Sequence, residues 1–538
     1  MKLFFEKYIS ENWKSGLTVA LVSIPIAISL AVASNATPTA GIITAIWAGF
    51  FAAFFGGSHY NVVGPTGALS GILAAYALAH GVSTLSMIAI LAGLIILVAY
   101  FFNIEKYILL IPGSAIQGFT LGVAGIIILA QLNSALGISG LPIHDTLLGN
   151  IKETLQNLNL MALPTTGIFI LFLSLLFLIT IFLPVIPAII LLTPPALWLG
   201  YATTSGIFSF KLCTLAEKFG SISSALFEKP ILSIHYSMLF PALAIAIIAI
   251  LETLISAKIA DGMTKTKYDK RKELMGLALA NIVSGFCGGI PATAALARTS
   301  LNVKTGATHR TSAIISSCCI LLISLCILPF FNYLPLAVVA AMLTFTAIRM
   351  VEHEHLCRLY QVDRYHFFIA IAVSIITIIE DPIVGILSGT TFTLLLFIEK
   401  ISRGQCELLS ATADEDAEII EPKRLKFTQE TLIYSIKGQL VYINAQAHIA
   451  RFESDLAPIK NVILYLHGLY FIDPDGIDAL DEIIELLEKK GIQVHICEFN
   501  KSIFTQLQES KKIAKLIEQK RVHKKLKEAL AELKKSNS

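Results

Sequence analysis

The chain has 538 residues, of which 55% are hydrophobic and 15% are charged, and its formal net charge at pH 7 is +3. Soluble proteins rarely concentrate apolar residues in long uncharged runs, so an ordinary soluble protein is excluded and a membrane protein is indicated. Residues 15–400 are almost continuously apolar, whereas residues 401–538 are charged and amphipathic. Two domains are therefore predicted. The small net charge does not identify a partner, and no nucleic-acid partner is expected.

The N-terminal stretch from Met1 to Gly16 is polar and charged, and the apolar run that follows leads directly into further apolar sequence. No cleavable signal is therefore expected. The eight cysteines lack C-x-x-C spacing, so we expect them to be small packing residues. We expect no metal site and no cofactor.

The apolar region divides into segments that can cross a membrane. About 20 residues are needed to span a hydrocarbon core roughly 30 Å thick. Fourteen segments are predicted, at residues 17–34, 39–56, 65–80, 84–102, 108–133, 163–182, 184–201, 238–260, 274–288, 293–304, 311–331, 334–349, 365–380 and 383–399. They form two sets of seven. Because seven is odd, the second set runs opposite to the first, which predicts an inverted repeat.

The third and tenth segments, which hold equivalent places in the two sets, are interrupted by Gly and Pro. The interruptions are Gly64-Pro65-Thr66-Gly67 and Gly288-Gly289-Ile290-Pro291-Ala292-Thr293. Irregular backbone at membrane depth persists only where it is buried in protein or lines a cavity. The two half-helices would direct their positive N-terminal ends at one place, which suits an anion. The residues expected there are Thr66, Gly67, Ala68, Thr293, Ala294 and Ala295.

The distribution of basic residues orients the chain. Lys and Arg are concentrated in the predicted inner loops, for example between Lys265 and Lys272, and are sparse in the predicted outer loops. This bias predicts a multi-pass protein of the cell membrane whose two ends are both cytoplasmic.

Glu252 is an acidic residue inside a predicted span. It lies nine residues before Asp261 at the charged end of the segment, or about 14 Å along a helix. An intramembrane carboxylate costs about 2.5–3.5 kcal/mol to insert and indicates a functional site. Such a desolvated carboxylate could load and release a proton together with the substrate. A sodium ion at Glu252 and a purely structural tie between helices are the alternatives.

Arg298 is the basic counterpart of Glu252. It lies six residues, or roughly 9 Å, from Lys304, and one turn into a half-helix expected to begin near Thr293. Helical side chains lean toward the N-terminus, so its guanidinium is expected to join the free amides in binding an anion. A structural salt bridge with Glu252 is the alternative, and both could occur in different transport states.

Three hydroxyl residues complete the predicted site. Ser256 follows Glu252 by one helical turn and is expected to line the same face. Thr66 and Thr293 could donate hydrogen bonds to the substrate or could simply cap their half-helices, and capping is the simpler interpretation.

These residues resemble the SulP family of anion transporters, also called solute carrier family 26. The resemblance is carried by Val63 to Ala68, by Gly288 to Thr299, and by Ile259 to Thr264 followed by Glu273 and Leu274. It implies the uracil-permease-like fold of seven plus seven helices, with a core domain that moves against a gate domain. It also implies a homodimer in membrane lipid.

Within the family, the stretch from Glu252 to Ala307 is most similar to the C4-dicarboxylic acid transporters. Many relatives labelled sulfate permeases carry Ser at the positions of Ala295 and Ala297 and Gln at that of Ile26, which weakens a sulfate assignment. The resemblance implies proton-coupled uptake of succinate, fumarate or aspartate. The alternatives are a sulfate or bicarbonate transporter coupled to protons or sodium, and an uncoupled anion channel. No P-loop or nucleophile motif supports an enzyme.

The tail changes to short β-branched runs that alternate with amphipathic stretches. Strands are predicted at 431–436, 439–443, 461–466 and 492–497, a helix at 475–489, and a helical region at 514–534. This α/β module resembles a STAS domain. The predicted domains are the transport domain at 1–403, a linker at 404–423 and the STAS domain at 424–538.

The segment from Phe471 to Gly476 aligns with the Asp-Ser-Ser-Gly loop of STAS domains. Asp475 stands where related regulators have a phosphorylated serine, so we expect no phosphorylation switch at this position. Asp475 is also expected to be the N-cap of the following helix.

Overall fold

The structure is a computed structural model of the chain. It describes residues 2–108, 112–142, 144, 146–183, 187–220, 222, 227–230, 235–380, 382–402, 405–411, 417–420, 430–453, 456 and 459–536. The chain separates into two compact units, Met1–Thr393 and Leu394–Ser538.

The first unit is helical, and a helix occupies each of the fourteen predicted segments. In chain order the helices are α1 (Lys2–Ala33), α2 (Pro38–Phe55), α3 (Gly67–His80), α4 (Leu85–Phe101), α5 (Glu105–Ile108), α6 (Gly113–Ala130), α7 (Leu132–Leu136), α8 (Leu147–Gln156), α9 (Leu163–Phe182), α10 (Ala188–Thr204), α11 (Leu215–Phe219), α12 (Leu239–Thr264), α13 (Lys270–Phe286), α14 (Leu296–Lys304), α15 (Thr311–Ile327), α16 (Leu336–Met350), α17 (His353–Val362), α18 (Arg364–Ile379) and α19 (Pro382–Ser402).

Length and composition identify which helices can cross a bilayer unaided. Within the described ranges, nine helical segments are long and apolar enough, at Tyr8–Ala33, Pro38–Phe55, Val82–Phe101, Gly113–Leu136, Leu163–Phe182, Tyr236–Thr264, Thr311–Tyr333, Leu336–Val362 and Val384–Ser402. Helices α3, α10 and α18 are shorter apolar helices. The fold is that of a multi-pass membrane protein, and the exact number of fourteen crossings stays a prediction.

The two predicted breaks meet in the middle of this unit. Strand β1 (Val63–Gly64) pairs in antiparallel fashion with β2 (Thr293–Ala294), with Val63 opposite Ala294 and Gly64 opposite Thr293. Each strand supplies the other's hydrogen-bonding partner, which is what irregular backbone at membrane depth requires. Helix α3 starts shortly after β1 and α14 shortly after β2, so the two half-helices begin side by side.

The helices pack as two groups. Helices α1, α2, α4, α12, α13 and α15 pack closely around the β1/β2 pair, and α6, α9, α16 and α18 form the second group. Close approach depends on small residues, as expected for helices in lipid. A Cβ added at Gly93 on α4 would lie 2.8 Å from the carbonyl oxygen of Ala278 on α13. The core and gate domains that the resemblance implies stay a prediction.

The second unit is an α/β domain. Its elements are β3 (Gln405–Ala411), β4 (Ala417–Ile420), β5 (Thr431–Leu440), α20 (Tyr442–Glu453), β6 (Asn461–Tyr465), β7 (Leu469–Ile472), α21 (Pro474–Lys489), β8 (Gln493–Cys497), α22 (Lys501–Leu507), α23 (Lys511–Glu518), β9 (Val522–His523) and α24 (Leu526–Ser536). The strand order is β4-β3-β5-β6-β8-β9, and β7 pairs with the far end of β5. The strands β5, β6, β8 and β9 are parallel.

Three predictions about the tail are wrong in detail. Residues 439–443 are the end of β5 and the start of α20, because the chain turns into a helix after Leu440. Residues 405–411 and 417–420, predicted as linker, form strands in the sheet. The region predicted as helical at 514–534 divides into α23, β9 and α24. The strands at 461–466 and 492–497 and the helix at 475–489 agree with the structure.

Asp473, not Asp475, is the N-cap of α21. Its carboxylate accepts a hydrogen bond of 2.8 Å from the amide of Gly476 and another of 3.0 Å from that of Tyr442. Asp475 is the second residue of the helix, where its negative charge favours the N-terminal end of the helix dipole.

Candidate anion site

The N-termini of the two half-helices lack side-chain caps. Thr66 is the N-cap residue of α3 and Ala295 is that of α14, and neither side chain accepts a capping hydrogen bond. Helix α14 therefore begins at Leu296 rather than near Thr293 as predicted. The first amides of a helix have no intrahelical partner and carry partial positive charge. Because the two helix ends lie beside each other, the region next to the β1/β2 pair is electropositive.

Glu252 lies next to the start of α3. The hydroxyl of Thr66 donates a hydrogen bond of 3.3 Å to Oε2 of Glu252 on α12. The Thr66 side chain is thus directed at the carboxylate, and the capping interpretation is wrong for this residue. Glu252 is only partly buried, whereas its neighbours Leu251 and Thr253 are fully buried.

Arg298 is the third residue of α14 and only 2% exposed. Its Nη2 donates a hydrogen bond of 2.6 Å to the carbonyl oxygen of Pro65 in the first break. It forms no ion pair with Glu252 among the contacts of the described residues, so the predicted salt bridge is not made in this state. A Cβ at Gly64 would lie 2.5 Å from Nη1 of Arg298. Glycine at position 64 thus makes room for the guanidinium.

The hydroxyl of Thr293 ties the second break to α12. It donates a hydrogen bond of 3.2 Å to the carbonyl oxygen of Ala249 and lies 3.1 Å from the hydroxyl of Thr253. The Thr253 hydroxyl accepts a bond of 3.1 Å from the amide of Ala294. Thr293 is therefore not the cap of α14, and its hydroxyl fixes β2 in place.

Ser256 also belongs to the scaffold. It is 1% exposed, and its hydroxyl donates a hydrogen bond of 2.9 Å to that of Thr299 on α14. The Thr299 oxygen in turn accepts a bond of 3.2 Å from the amide of Val62. Ser256 does not share the open surroundings of Glu252.

Gly67 and Ala68 form the first turn of α3, and the second helix group faces them. A Cβ at Gly67 would collide with Cδ1 of Ile127 on α6 and lie 3.6 Å from Sδ of Met350 on α16. Sequence reasoning missed Ile127 and Met350, because an apolar residue in an apolar helix gives no local sign that it faces a site.

Two polar side chains that sequence reasoning also missed hold the turns before the strands. Asn61 donates a hydrogen bond of 2.6 Å to Oε1 of Glu273, whose Oε2 accepts bonds of 2.8 Å from Gly57 N and 2.7 Å from Ser58 N. Asn281 accepts a bond of 2.8 Å from the amide of Ala292. An asparagine near each break is the signal that was available in the sequence.

Comparison with known proteins identifies the fold as a whole. Residues 10–373 match the sulfate permease family, and residues 423–529 match the STAS domain. The chain belongs to the SulP (solute carrier 26) family.

The similar proteins include relatives named as sulfate transporters and relatives named as bicarbonate transporters. The chain is 30% identical over 489 residues to the putative sulfate transporter YvdB of Bacillus subtilis, covering 88% of each chain. It is 27% identical over 512 residues to the bicarbonate transporter BicA of Picosynechococcus, covering 89% of this chain and 87% of the relative.

Solved structures agree on the fold. The structure of SLC26A9 superimposes with a TM-score of 0.82 at 17% identity, over 99% of this chain and 91% of that one. The transmembrane domain of a cyanobacterial BicA superimposes with a TM-score of 0.61 at 24% identity, over 71% and 97% respectively. The SulP family member is thus an anion transporter with a STAS domain, and its relatives are transporters rather than enzymes.

Proposed function

We propose that this chain is a proton-coupled transporter of small oxyanions. The anion binds at the N-termini of α3 and α14, and Glu252 carries the proton. The observation that carries the proposal is the carboxylate of Glu252, which accepts a hydrogen bond of 3.3 Å from the hydroxyl at the N-cap of α3 and forms no ion pair with Arg298 among the contacts of the described residues. A negative charge beside an anion site is costly unless it is protonated when the anion binds.

Arg298 supplies the fixed positive charge of the site. Its guanidinium is anchored at one end to Pro65 in the first break and is carried on the second half-helix. A guanidinium binds carboxylate or sulfate groups with two parallel hydrogen bonds. The proposed residues of the site are therefore Glu252, Thr66 and Arg298, with the backbone of Gly67 and Ala68. The amide of Ala295 already donates a hydrogen bond of 3.2 Å to the carbonyl oxygen of Val62, so Ala295 marks the start of α14 without binding the anion.

The substrate class covers sulfate, bicarbonate and C4-dicarboxylates. The names of the relatives support sulfate and bicarbonate, and the local resemblance around Glu252 supports dicarboxylates. All three present the same two-oxygen edge to Arg298 and the helix ends. A transport panel with labelled sulfate, bicarbonate, succinate, fumarate and aspartate distinguishes them.

Reconstitution into proteoliposomes tests the coupling. With a pH-sensitive dye inside the vesicles, adding sulfate or succinate outside should cause substrate-dependent proton entry. If uptake follows an imposed sodium gradient when the pH is equal on both sides, the coupling ion is sodium and not the proton. An anion current without movement of protons or sodium would show that the protein is an uncoupled anion channel.

We also propose a homodimer in the cell membrane with both termini and the STAS domain cytoplasmic. The excess of Lys and Arg in the predicted inner loops supports this orientation. Labelling of single cysteines near each terminus in intact cells, and mass photometry of the purified protein, test the orientation and the assembly.

A further inference from the structure

A small hollow lies beside Arg298 in the interior of the first helix group. It is bounded by α1, α2, α15 and β1, and its polar lining consists of Ser23, Ser316, Ser317 and the guanidinium of Arg298. The other lining residues are small or apolar. This hollow plays no part in the anion site as described above.

The polar atoms around this hollow lack partners. Ser23 and Ser316 are each 1% exposed, and Arg298 is 2% exposed. Within the described structure, the hydroxyl oxygens of both serines and the Nε and Nη1 atoms of Arg298 have no hydrogen-bond partner. An unsatisfied buried donor or acceptor costs about 1–3 kcal/mol. The two nitrogen atoms of Arg298 are hydrogen-bond donors and the two serine oxygens can accept, so the four unpartnered atoms are complementary.

The unpartnered serine hydroxyls lie where they can control the orientation of the Arg298 guanidinium. The Nη2 atom of Arg298 is already bound to Pro65, so one corner of the guanidinium is fixed. The remaining two nitrogen atoms determine its rotation about that corner. Two-pronged binding of an anion depends on the orientation of the guanidinium plane, and a binding group must be held within about 10–20° of its productive orientation.

We propose that Ser23 and Ser316 are positioning residues for Arg298. Their hydroxyl oxygens accept hydrogen bonds from Nε and Nη1 after a small movement of the side chains, and so fix the plane that Arg298 presents to the anion. The inference rests on the proposed role of Arg298 in anion binding. It assigns a function to two serines that do not contact the substrate.

Serine-to-alanine variants of the full chain in proteoliposomes test this role. Ser23→Ala and Ser316→Ala should each raise the KM for the anion by roughly three- to tenfold, as expected for one lost hydrogen bond, while Vmax changes little. Ser29→Ala is the matched control, because Ser29 is also on α1, 1% exposed and unpartnered but does not line the hollow. Ser317→Ala is the second control, because that hydroxyl already bonds to Ala313 at 3.2 Å.

A double-mutant cycle separates positioning from packing. In an Arg298→Lys background, the serine substitutions should have no further effect on KM, because the guanidinium they position is gone. Equal effects in both backgrounds, or an equal effect of Ser29→Ala, would show a general packing role and overturn the inference. If one serine variant fails to fold, the other, on a different helix, still tests it.

The failure of this inference is distinguishable from failure of the proposed function. An unchanged KM in Arg298→Lys alone would remove Arg298 from the anion site and the inference with it. A raised KM in Arg298→Lys together with wild-type KM values in Ser23→Ala and Ser316→Ala would overturn the inference alone.

Discussion

The hydroxyl of Thr66 donates a hydrogen bond of 3.3 Å to Oε2 of Glu252. This bond joins the N-cap residue of the first half-helix to the acidic residue of α12. A change in the charge of Glu252 therefore alters the electrostatic potential at the proposed anion site. In the proposed mechanism this contact links the proton on Glu252 to the anion.

Glu252→Gln should fold but lose pH-driven uptake. The amide keeps the shape of the side chain and can still accept a bond from Thr66, but it cannot carry a proton. Counterflow of labelled substrate without a pH gradient should persist. The check is uptake under an imposed pH gradient, compared with counterflow, in the same vesicles. Accumulation against a concentration gradient with normal pH dependence would show that Glu252 does not carry the coupled proton.

Arg298→Lys should weaken anion binding although the charge is kept. A hydrogen bond to a charged group contributes about 1.5–3 kcal/mol, so loss of one prong corresponds to roughly a ten- to hundredfold rise in Kd. An ammonium group does not reproduce the planar fork. Substrate-induced shifts in Tm of the purified protein provide the affinity. Equal affinities would reduce Arg298 to a structural residue.

Gly64→Ala should reproduce part of the Arg298 defect. A Cβ at this position would lie 2.5 Å from Nη1 of Arg298, so the guanidinium must move. Anion affinity should fall by roughly tenfold. Gly262→Ala is the control, because nothing lies within 4 Å of the added Cβ there. Wild-type KM in Gly64→Ala would show that Arg298 can shift without loss of binding.

The membrane spans and the two breaks could be predicted because their signals are local. Apolar runs identify helices, and Gly-Pro interruptions identify the places where helices must stop. The pairing of Val63 with Ala294 was not predictable in detail, because no local feature specifies a register between residues so far apart. The same applies to Ile127 and Met350, which face Gly67 only through tertiary packing.

Hydroxyl side chains were the least predictable part of the site. Thr66 and Thr293 both lie beside the carboxylate of Glu252. Thr66 donates its hydrogen bond to that carboxylate, whereas Thr293 donates to the carbonyl oxygen of Ala249 on α12. Ser256 was expected beside Glu252 from helical spacing, but it is turned toward Thr299. A hydroxyl group can form hydrogen bonds with many kinds of partner, so the partner it has in the folded protein depends on the tertiary packing.

The STAS domain should lose stability on mild acidification because of His448. Arg451 donates to the Tyr434 hydroxyl at 3.0 Å, so the phenol proton is left for Nδ1 of His448, 2.7 Å away. Burial, with a smaller contribution from Arg451, lowers the pKa of His448 to about 4, against roughly 6.5 when unfolded. Between these values only the unfolded state binds the proton, so stability falls as the pH decreases from about 6.5 to about 4, by roughly 1–3 kcal/mol.

Hydrogen exchange of β5 and α20 in the full chain, corrected for intrinsic rates, should reveal this loss of stability. His448→Asn, which keeps an acceptor for Tyr434, should flatten the pH dependence. It should not abolish it, because burial also lowers the pKa of His495 to about 4. His467→Gln, at an exposed position, is the control. An unchanged pH profile in His448→Asn would contradict the assignment.

Deleting residues 405–538, which removes β3 and β4 together with the rest of their sheet, should preserve substrate preference while changing rate, assembly or membrane level. Every residue of the proposed anion site lies before position 300, within the first compact unit, and the deleted residues belong to the second. A domain with its own hydrophobic core can regulate a transporter without contacting its ligand. The measurement is the ratio of kcat/KM values for sulfate, bicarbonate and succinate in the truncated and full-length proteins, after both are shown to be folded and monodisperse. Ratios that agree within about threefold, or roughly 0.7 kcal/mol, support the division of labour. A switch of preference, for example from succinate to sulfate, would show that the STAS domain helps to shape the site.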